Sequence, residues 1–401
     1  MSNTSVSRPT HRDLVTAPRE THWFARHGLL RDLQHPSQAL ENITPNWYAS
    51  VMGTGIVAVA AARLPVQLPG LHTVGLVVWA FAAVLLVALT AATVAHWVRH
   101  PATARSHALH PVMGHFYGAP PMALMTVGAG TLLLGRDVLG LPLAVRVDAV
   151  LWTLGTLTGL AAGVVVPSLM VTRHQVRAGC AFGGWLMPVV PPIVSASTGA
   201  LLVPHVVAGQ PRLTMVLTCY ALLGLSLLAS IVVITLICWK LAVHRVGDPR
   251  MVPTLWIVLG PLGQSVTASG LLGGMSMQVL PAPYGSAFHA FGLIYGLPIF
   301  GLAMLWAGIA AAITIRAARE GMPFSLAWWS FTFPVGTVVT GVSGLARATG
   351  SGVLRWSAVL LFLGLVAAWA TVAARTFHGS VVRGHLFLGP LFLGPRATSS
   401  L

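Results

Sequence analysis

The amino-acid sequence predicts an all-α membrane protein: ten transmembrane helices, paired as five helical hairpins around a central pore. Three observations predict it. Only 8% of the 401 residues are charged and 55% are hydrophobic, whereas a water-facing domain carries about 25% charged residues. Ten apolar stretches are long enough to cross about 30 Å of hydrocarbon, which takes roughly 20 helical residues. The ten alternate between stretches broken by Gly and Pro and smooth runs of Ala, Val, Leu and Ile.

The predicted spans run over 46–64, 73–98, 114–135, 148–171, 183–205, 213–240, 252–278, 288–315, 326–346 and 354–376. Span 1 reads NWYASVMGTGIVAVA, span 3 GHFYGAPPMALMTVGAG, span 5 GGWLMPVVPPIVSASTGA, span 7 GPLGQSVTASGLLGG and span 9 WWSFTFPVGTVVTGVSG. All five are rich in Gly, Pro, Ser or Thr. A helix facing lipid on most sides is uniformly apolar, as the even spans are, the fourth until Pro167. Kinks and hydroxyls are tolerated where neighbouring helices or water satisfy the freed backbone groups. The odd helices therefore belong inside and the even helices outside.

Orientation follows from the basic residues, because loops rich in Lys and Arg stay cytoplasmic. One side, with both tails, holds 17 of the 23. It takes in Arg8, Arg12, Arg19, Arg26 and Arg31 of the N-terminal tail, Arg177, and Arg396 near the C-terminus. The other side holds six: Arg63, Arg136, Arg146, Arg212, Arg347 and Arg355. Residues 1–45 are then a cytoplasmic N-terminal tail, 46–376 the ten-helix domain and 377–401 a cytoplasmic C-terminal tail. The first 45 residues are polar and hold no early apolar core, so no cleavable signal peptide is expected. The tandem LFLGPLFLGP near the C-terminus is expected to be disordered. A net charge of +15 on a soluble chain suggests nucleic acid; here the arginines sit between apolar runs and set topology, so the partner is the lipid bilayer of an inner cell membrane and no nucleic acid is expected.

The chemistry is read first from an absence. The eight acidic residues all fall in a tail, a loop or, for Asp148, the first residue of a span. Ionisable groups at bilayer depth are expensive and are kept for a task such as proton or cation movement. A path lined by hydroxyls, amides and backbone donors, with basic mouths, suits small anions instead. No Lys or Arg lies deep in a span, which points to weak binding and fast passage. Candidate lining residues are Thr54 between Gly53 and Gly55, Pro120 and Pro121, Pro191 and Pro192 with Ser195, then Gln264 and Thr267, and finally Pro334 and Thr337. Each hydroxyl serves equally well as packing glue between helices. His115, His205 and His289 sit at span ends without HxH, HxxxH or HExxH spacing, and the three cysteines lack CxxC spacing. No metal, no cofactor and no catalytic site is expected. A proton-coupled carrier is the alternative to a channel; a membrane-embedded enzyme is more remote, because no polar or metal constellation marks a span.

Span 9 adds PFSLAWWSFTFPVGT. Trp328 and Trp329 suit the interfacial belt. Phe331 and Phe333 follow, and Pro334 is expected to kink the helix beside them. A ring pushed across a lumen gates by excluding water; ordinary packing of phenylalanine between helices stands as the other reading.

NWYASVMGTGIVAVA, HPVMGHFYGAPPMA, the proline cluster of span 5 and AWWSFTFPVGT together resemble the tellurite-resistance/dicarboxylate transporter (TDT) family over roughly residues 40–376. That family includes a bacterial tellurite-resistance permease, yeast malate and sulfite transporters and the plant slow anion channels. The resemblance implies odd helices kinked around a central pore, a homotrimer with one pore per subunit, and a ninth-helix phenylalanine that plugs it. Phe333 is the matching position and Phe331 the alternative. The implied substrates are C4-dicarboxylate, sulfite, chloride- or nitrate-like and tellurite-related anions. The N-terminal tail is shorter than the regulatory tails of the plant channels.

Overall fold

A computed structural model describes residues 30–33, 36–174 and 179–388. Arg8, Arg12, Arg19, Arg26, Arg177, Arg396 and residues 389–395 of the tail repeat lie outside the described residues. Within them the regular structure is helical throughout. The α-helices are α1 (Tyr48–Arg63), α2 (Leu71–Arg99), α3 (Pro101–Leu109), α4 (Ala119–Gly130), α5 (Arg136–Leu139), α6 (Leu141–Thr172), α7 (Pro191–Leu202), α8 (Gln210–His244), α9 (Leu259–Val279), α10 (Tyr284–Arg319), α11 (Phe333–Thr349) and α12 (Gly352–Phe377).

Two populations separate at once. Helices α2, α6, α8, α10 and α12 hold 26 to 36 residues and turn much of their apolar surface outward. Val84, Leu228, Ile294 and Leu360 are each more than 60% exposed. Every such side chain left in water forgoes roughly 1.5–3 kcal/mol of transfer free energy, so the surrounding medium is lipid. Helices α1, α4, α7, α9 and α11 are almost wholly buried. Each buried helix packs against two others in the closed order α1–α4–α7–α9–α11–α1. Each also packs against two long helices, most extensively α1 on α2, α4 on α6, α7 on α8, α9 on α10 and α11 on α12.

Among the described residues, seven helical segments have the length and apolarity to cross a membrane. The three expected spans not among them are the first, fifth and ninth, whose α-helices hold only 16, 12 and 17 residues. The shortfall has a local cause. All five inner helices are preceded by a 3-10 stretch, at Pro45–Trp47, Met113–Gly118, Gly183–Leu186, Pro249–Val258 and Leu326–Phe331. In α4, α7 and α11 proline occupies the first turn. Proline lacks an N–H and clashes with the preceding turn, so an α-helix can begin at it but not run through it unbent. Pro334 therefore starts α11 rather than kinking a continuous ninth helix, as do Pro120 and Pro121 for α4 and Pro191 and Pro192 for α7.

The long helices outrun the predicted spans. The largest difference is α6, which begins at Leu141, seven residues before the expected start at 148. Gly140 supplies the positive φ of 76° that turns the chain, and Pro142 sits in the first turn. Arg146 interrupts the apolar run there, which hid the start. Short α3 was not expected. The tail also departs from expectation. Residues 378–388 continue into a π-turn and a 3-10 turn. They hold the N-terminal segment through backbone bonds from Leu30 to Val381 (3.0 Å) and Asp32 to Arg383 (2.7 Å), and Phe387 stacks on Trp47 at 5.0 Å.

Candidate functional site

The five inner helices enclose two small cavities on a common axis. The first, about 30 Å³, is lined by residues of all five inner segments: Met52, Met122, Val190, Gly260 and Phe333 at its deep end, with Phe116, Met187, Ile257 and Trp329 above them. Its wall is apolar. The second, also about 30 Å³, is again lined from all five, by Ile56, Val59, Arg63, Thr126, Val194, Ser197, Thr198, Gln264, Thr267 and Thr340 among others. Its wall is hydroxyl- and amide-bearing, with one guanidinium.

The two cavities are one helical turn apart. Met52 and Ile56, Met122 and Thr126, Val190 and Val194, and Gly260 and Gln264 are each four residues apart and fall on opposite sides of the gap. Four residues rise about 6 Å in an α-helix. Phe333 is 2% exposed and stands on the apolar side of this gap beside Pro334.

Phe331 points elsewhere. It meets the rings of Trp256 and Trp328 edge-on, both at 5.6 Å, and is not part of either wall. Of the expected lining residues, Gln264, Thr267 and Pro334 border a cavity. The others mediate helix contact. Thr54 Oγ1 accepts from Trp369 Nε1 of α12 (3.1 Å). Gly53 lies so close to α11 that an added Cβ would meet Thr332 Oγ1 at 2.3 Å, and at Gly55 it would meet Thr126 at 2.8 Å. Pro121 and Pro191 abut Gly159 of α6. Ser195 Oγ donates to Pro191 O and accepts from Thr156 (3.0 Å). Thr337 Oγ1 donates to Pro334 O (2.6 Å) and lies 3.2 Å from Leu259 O of α9. Pro120 is half-buried and Pro192 buried, and neither borders the two cavities. Small and hydroxylated residues let helices approach closely whether or not a lumen lies beyond, so the composition of the odd spans marked the right helices but not the right faces. Ser197 and Thr198, the other hydroxyls after the span 5 prolines, do border the second cavity; the wall residues missed include Met52, Ile56, Met122, Thr126 and Thr340. A step of four from one wall residue to the next would have found several of them.

Two charged groups correct the sequence reading. Asp148 is not at a span end. It lies two turns inside α6, fully buried against α4, with neither carboxylate oxygen hydrogen-bonded. An unpartnered carboxylate is therefore buried between α6 and α4, behind the wall rather than in it. Arg63, counted with the loops, reaches into the wall of the second cavity from the last turn of α1.

A roomier hollow, about 520 Å³, is lined by His115, His174, Lys240, Asp248 and Arg250 among others. None of its lining comes from α1 or α11, so it lies beside the ring and not on its axis. Nearby, burial against α2 and its neighbours pushes the His107 imidazole of α3 down to about 4, with smaller contributions from His96 and His110. Burial lowers His110 as well, and His174 adds to it. Among the described residues no three metal-ligating side chains converge.

A jacket of lipid-facing helices around buried ones that enclose axial cavities defines a multi-pass membrane protein built for passage rather than for chemistry on a substrate. Residues 42–377 match the SLAC1 family of voltage-dependent anion channels, and the chain belongs to that family of membrane anion transporters, a transporter and not an enzyme family. Similar proteins include a "Sulfite efflux pump SSU1" of Arthroderma otae, 25% identical over 351 residues that cover 86% of this chain and 92% of that one. An uncharacterized transporter of Methanocaldococcus jannaschii is 25% identical, covering 86% and 97% respectively. The "Malic acid transport protein" of Schizosaccharomyces pombe is 20% identical over 306 residues, covering 74% and 69%. The family resemblance read from spans 1, 3, 5 and 9 is thereby shown.

Proposed function

We propose that ten helices cross the membrane as five hairpins and that each protomer passes small anions along the axis of the inner ring, with Phe333 closing the gap between the two cavities. The observation that carries this is the pair of cavities, each lined by all five inner segments and separated by a single helical turn at Phe333. The apolar side excludes water and ions while the ring stands across it; the polar side offers an anion the Gln264 amide and the Arg63 guanidinium as donors. Both termini face the cytoplasm of an inner-membrane protein in this reading, consistent with the excess of Lys and Arg on that side. Protomers assemble as a homotrimer with one path each, as the family resemblance implies. The names of the relatives favour sulfite and C4-dicarboxylates as the substrate class.

Purified protein in liposomes, held at a set membrane potential and offered sulfite, malate, nitrate and chloride in turn, tests the reading. Anion flux that follows the potential supports it; no flux of any of the four above empty liposomes refutes it. A second reading, a proton-coupled exporter, draws on Asp148, a buried carboxylate without a partner. Flux that depends on a pH gradient at fixed potential decides for that reading.

A further inference from the structure

We propose that Arg63 and Arg347 form a docking site for oxyanions at the end of the ring away from the termini; this rests on the anion-passage reading and names the group that selects its substrate. A third hollow of about 300 Å³ opens there, lined by Arg63, Arg347, Thr267, Leu271, Thr340 and His289 among others. It shares Arg63, Thr267, Leu271 and Thr340 with the hydroxyl-lined cavity, so these four residues form the partition between vestibule and axis. Anything moving between the two passes Arg63.

The state of the two guanidiniums points to a ligand. Arg63 Nε is buried and has no hydrogen-bond partner among the described residues. The ion pairs among those residues join His72 and Arg136 to Asp137, and Arg316 to Glu320. Neither Arg63 nor Arg347 has a carboxylate beside it, and no acidic residue lines the vestibule. Arg347 is tied to α1 by Nη1, which donates to the Arg63 carbonyl, and the rest of its fork is left for another acceptor. The pair thus holds two positive charges close together with nothing on the protein to offset them. The hydroxyls of the cavity wall are occupied: those of Thr126, Ser197, Thr198 and Thr340 donate to backbone carbonyls of their own helices at 2.7 to 3.0 Å.

The chemistry selects the ligand class. A guanidinium presents a planar fork that matches two oxygens of one anion, and paired charge-assisted bonds of this kind are short and strong. Sulfite and carboxylates offer oxygens at that spacing. A halide is one acceptor centre, so it bridges the two arms of a fork instead of giving each arm its own linear bond. The vestibule is roomy enough, since water takes about 30 Å³ of liquid volume and the hollow is near 300 Å³. The site therefore favours oxyanions over chloride by recognition rather than by charge alone.

The test compares the native chain with Arg63→Lys, Arg63→Gln and Arg347→Lys. In liposomes, sulfite and malate flux is measured against concentration, with chloride as the reference. Arg63→Lys keeps the charge and loses the fork, so half-saturation for sulfite and malate rises about tenfold while chloride is unchanged. Arg63→Gln raises it further. Arg347→Lys, which retains a donor for the Arg63 carbonyl, gives the same direction of change. Sulfite titrated into the detergent-solubilised protein by calorimetry reads the site without transport: heat of binding in the native chain and its loss in Arg63→Gln are expected, with melting temperature recorded to certify folding. Equal half-saturation for oxyanions in native and Arg63→Lys protein, or a parallel loss for chloride and oxyanions, overturns the docking site. If the native chain passes no anion but still binds sulfite through Arg63, the passage reading falls and the site stands.

Discussion

Replacing Phe333 with alanine is the most direct probe of the axis. The ring is 2% exposed, borders a cavity of about 30 Å³ and faces a gap of one helical turn to a second of equal size. Deleting it leaves room for on the order of three waters at about 30 Å³ each. Two hydrogen-bonded waters reach across the roughly 6 Å rise of four helical residues, so a dry plug becomes a wet link. Each 1.4 kcal/mol taken from the barrier multiplies the rate by about ten, and pressing a bare ion against hydrocarbon costs many times that, so recovering even about 1.4–2.8 kcal/mol of the cost is enough for a large change. Flux of sulfite or chloride in liposomes is therefore expected to rise about 10- to 100-fold. The same change removes packing, which in a solid core costs about 3–5 kcal/mol; here one side of the ring borders a void, so the loss falls at the low end. Phe331→Ala is the control, because that ring packs on Trp256 and Trp328: it lowers the melting temperature and leaves flux alone. A folded Phe333→Ala protein with native flux, or a rise in flux from Phe331→Ala, refutes the assignment.

Three further outcomes are expected. Gly183→Ala drives a Cβ to 1.7 Å from the Thr254 carbonyl oxygen; because backbone cannot step aside as a flexible side chain can, thermal unfolding followed by tryptophan fluorescence drops by an amount corresponding to at least about 1–3 kcal/mol. Asp148→Asn swaps an unpartnered buried carboxylate for a neutral group of the same shape; melting temperature holds or rises and flux is unchanged, since the residue borders neither axial cavity, whereas loss of pH-gradient dependence speaks for the coupled reading. His107 carries a pKa depressed to about 4 from 6.5, so the folded state binds its proton less readily than the unfolded chain. Its contribution to stability is full above about 6.5 and fades as pH falls toward 4; His107→Gln flattens the melting temperature over that window, and an unchanged acid slope contradicts the assignment.

The alternation of smooth and broken spans made the inner and outer layers legible, because lipid exposure and helix contact leave opposite compositions. Helix boundaries were less visible. Arg146 looks like a loop residue until Gly140 and Pro142 are recognised as the start of α6, and that error moved Asp148 from inside a helix to its edge. The 3-10 lead-ins were hidden too, since nothing in AWWSFTF distinguishes a tight coil from an α-turn until the proline after it is read as a beginning. The site was the least legible. Thr54, Ser195 and Thr337 carry the same hydroxyls as Thr126 and Thr340, and only the direction of the helix face separates a bond to a neighbouring helix from a place on the wall. Phe333 and Phe331 differ by two residues, close to half a turn, which is enough to send one ring to the axis and the other to the rim.

The coils that precede all five inner helices divide the ring mechanically. A 3-10 turn climbs about 2.0 Å per residue against 1.5 Å in an α-helix and has poorer hydrogen-bond geometry, so the half of the bundle nearer the termini reaches further per residue and resists bending less. The opposite half is mainly α-helix, closed by a π-turn at Thr131–Gly135 and a 3-10 turn at Val203–His205, and is clamped by threonine and serine bonds. In the proposed passage, widening would start at the pliant end, where the aromatic residues sit, while the stiffer end would keep its shape and with it the means to tell one solute from another.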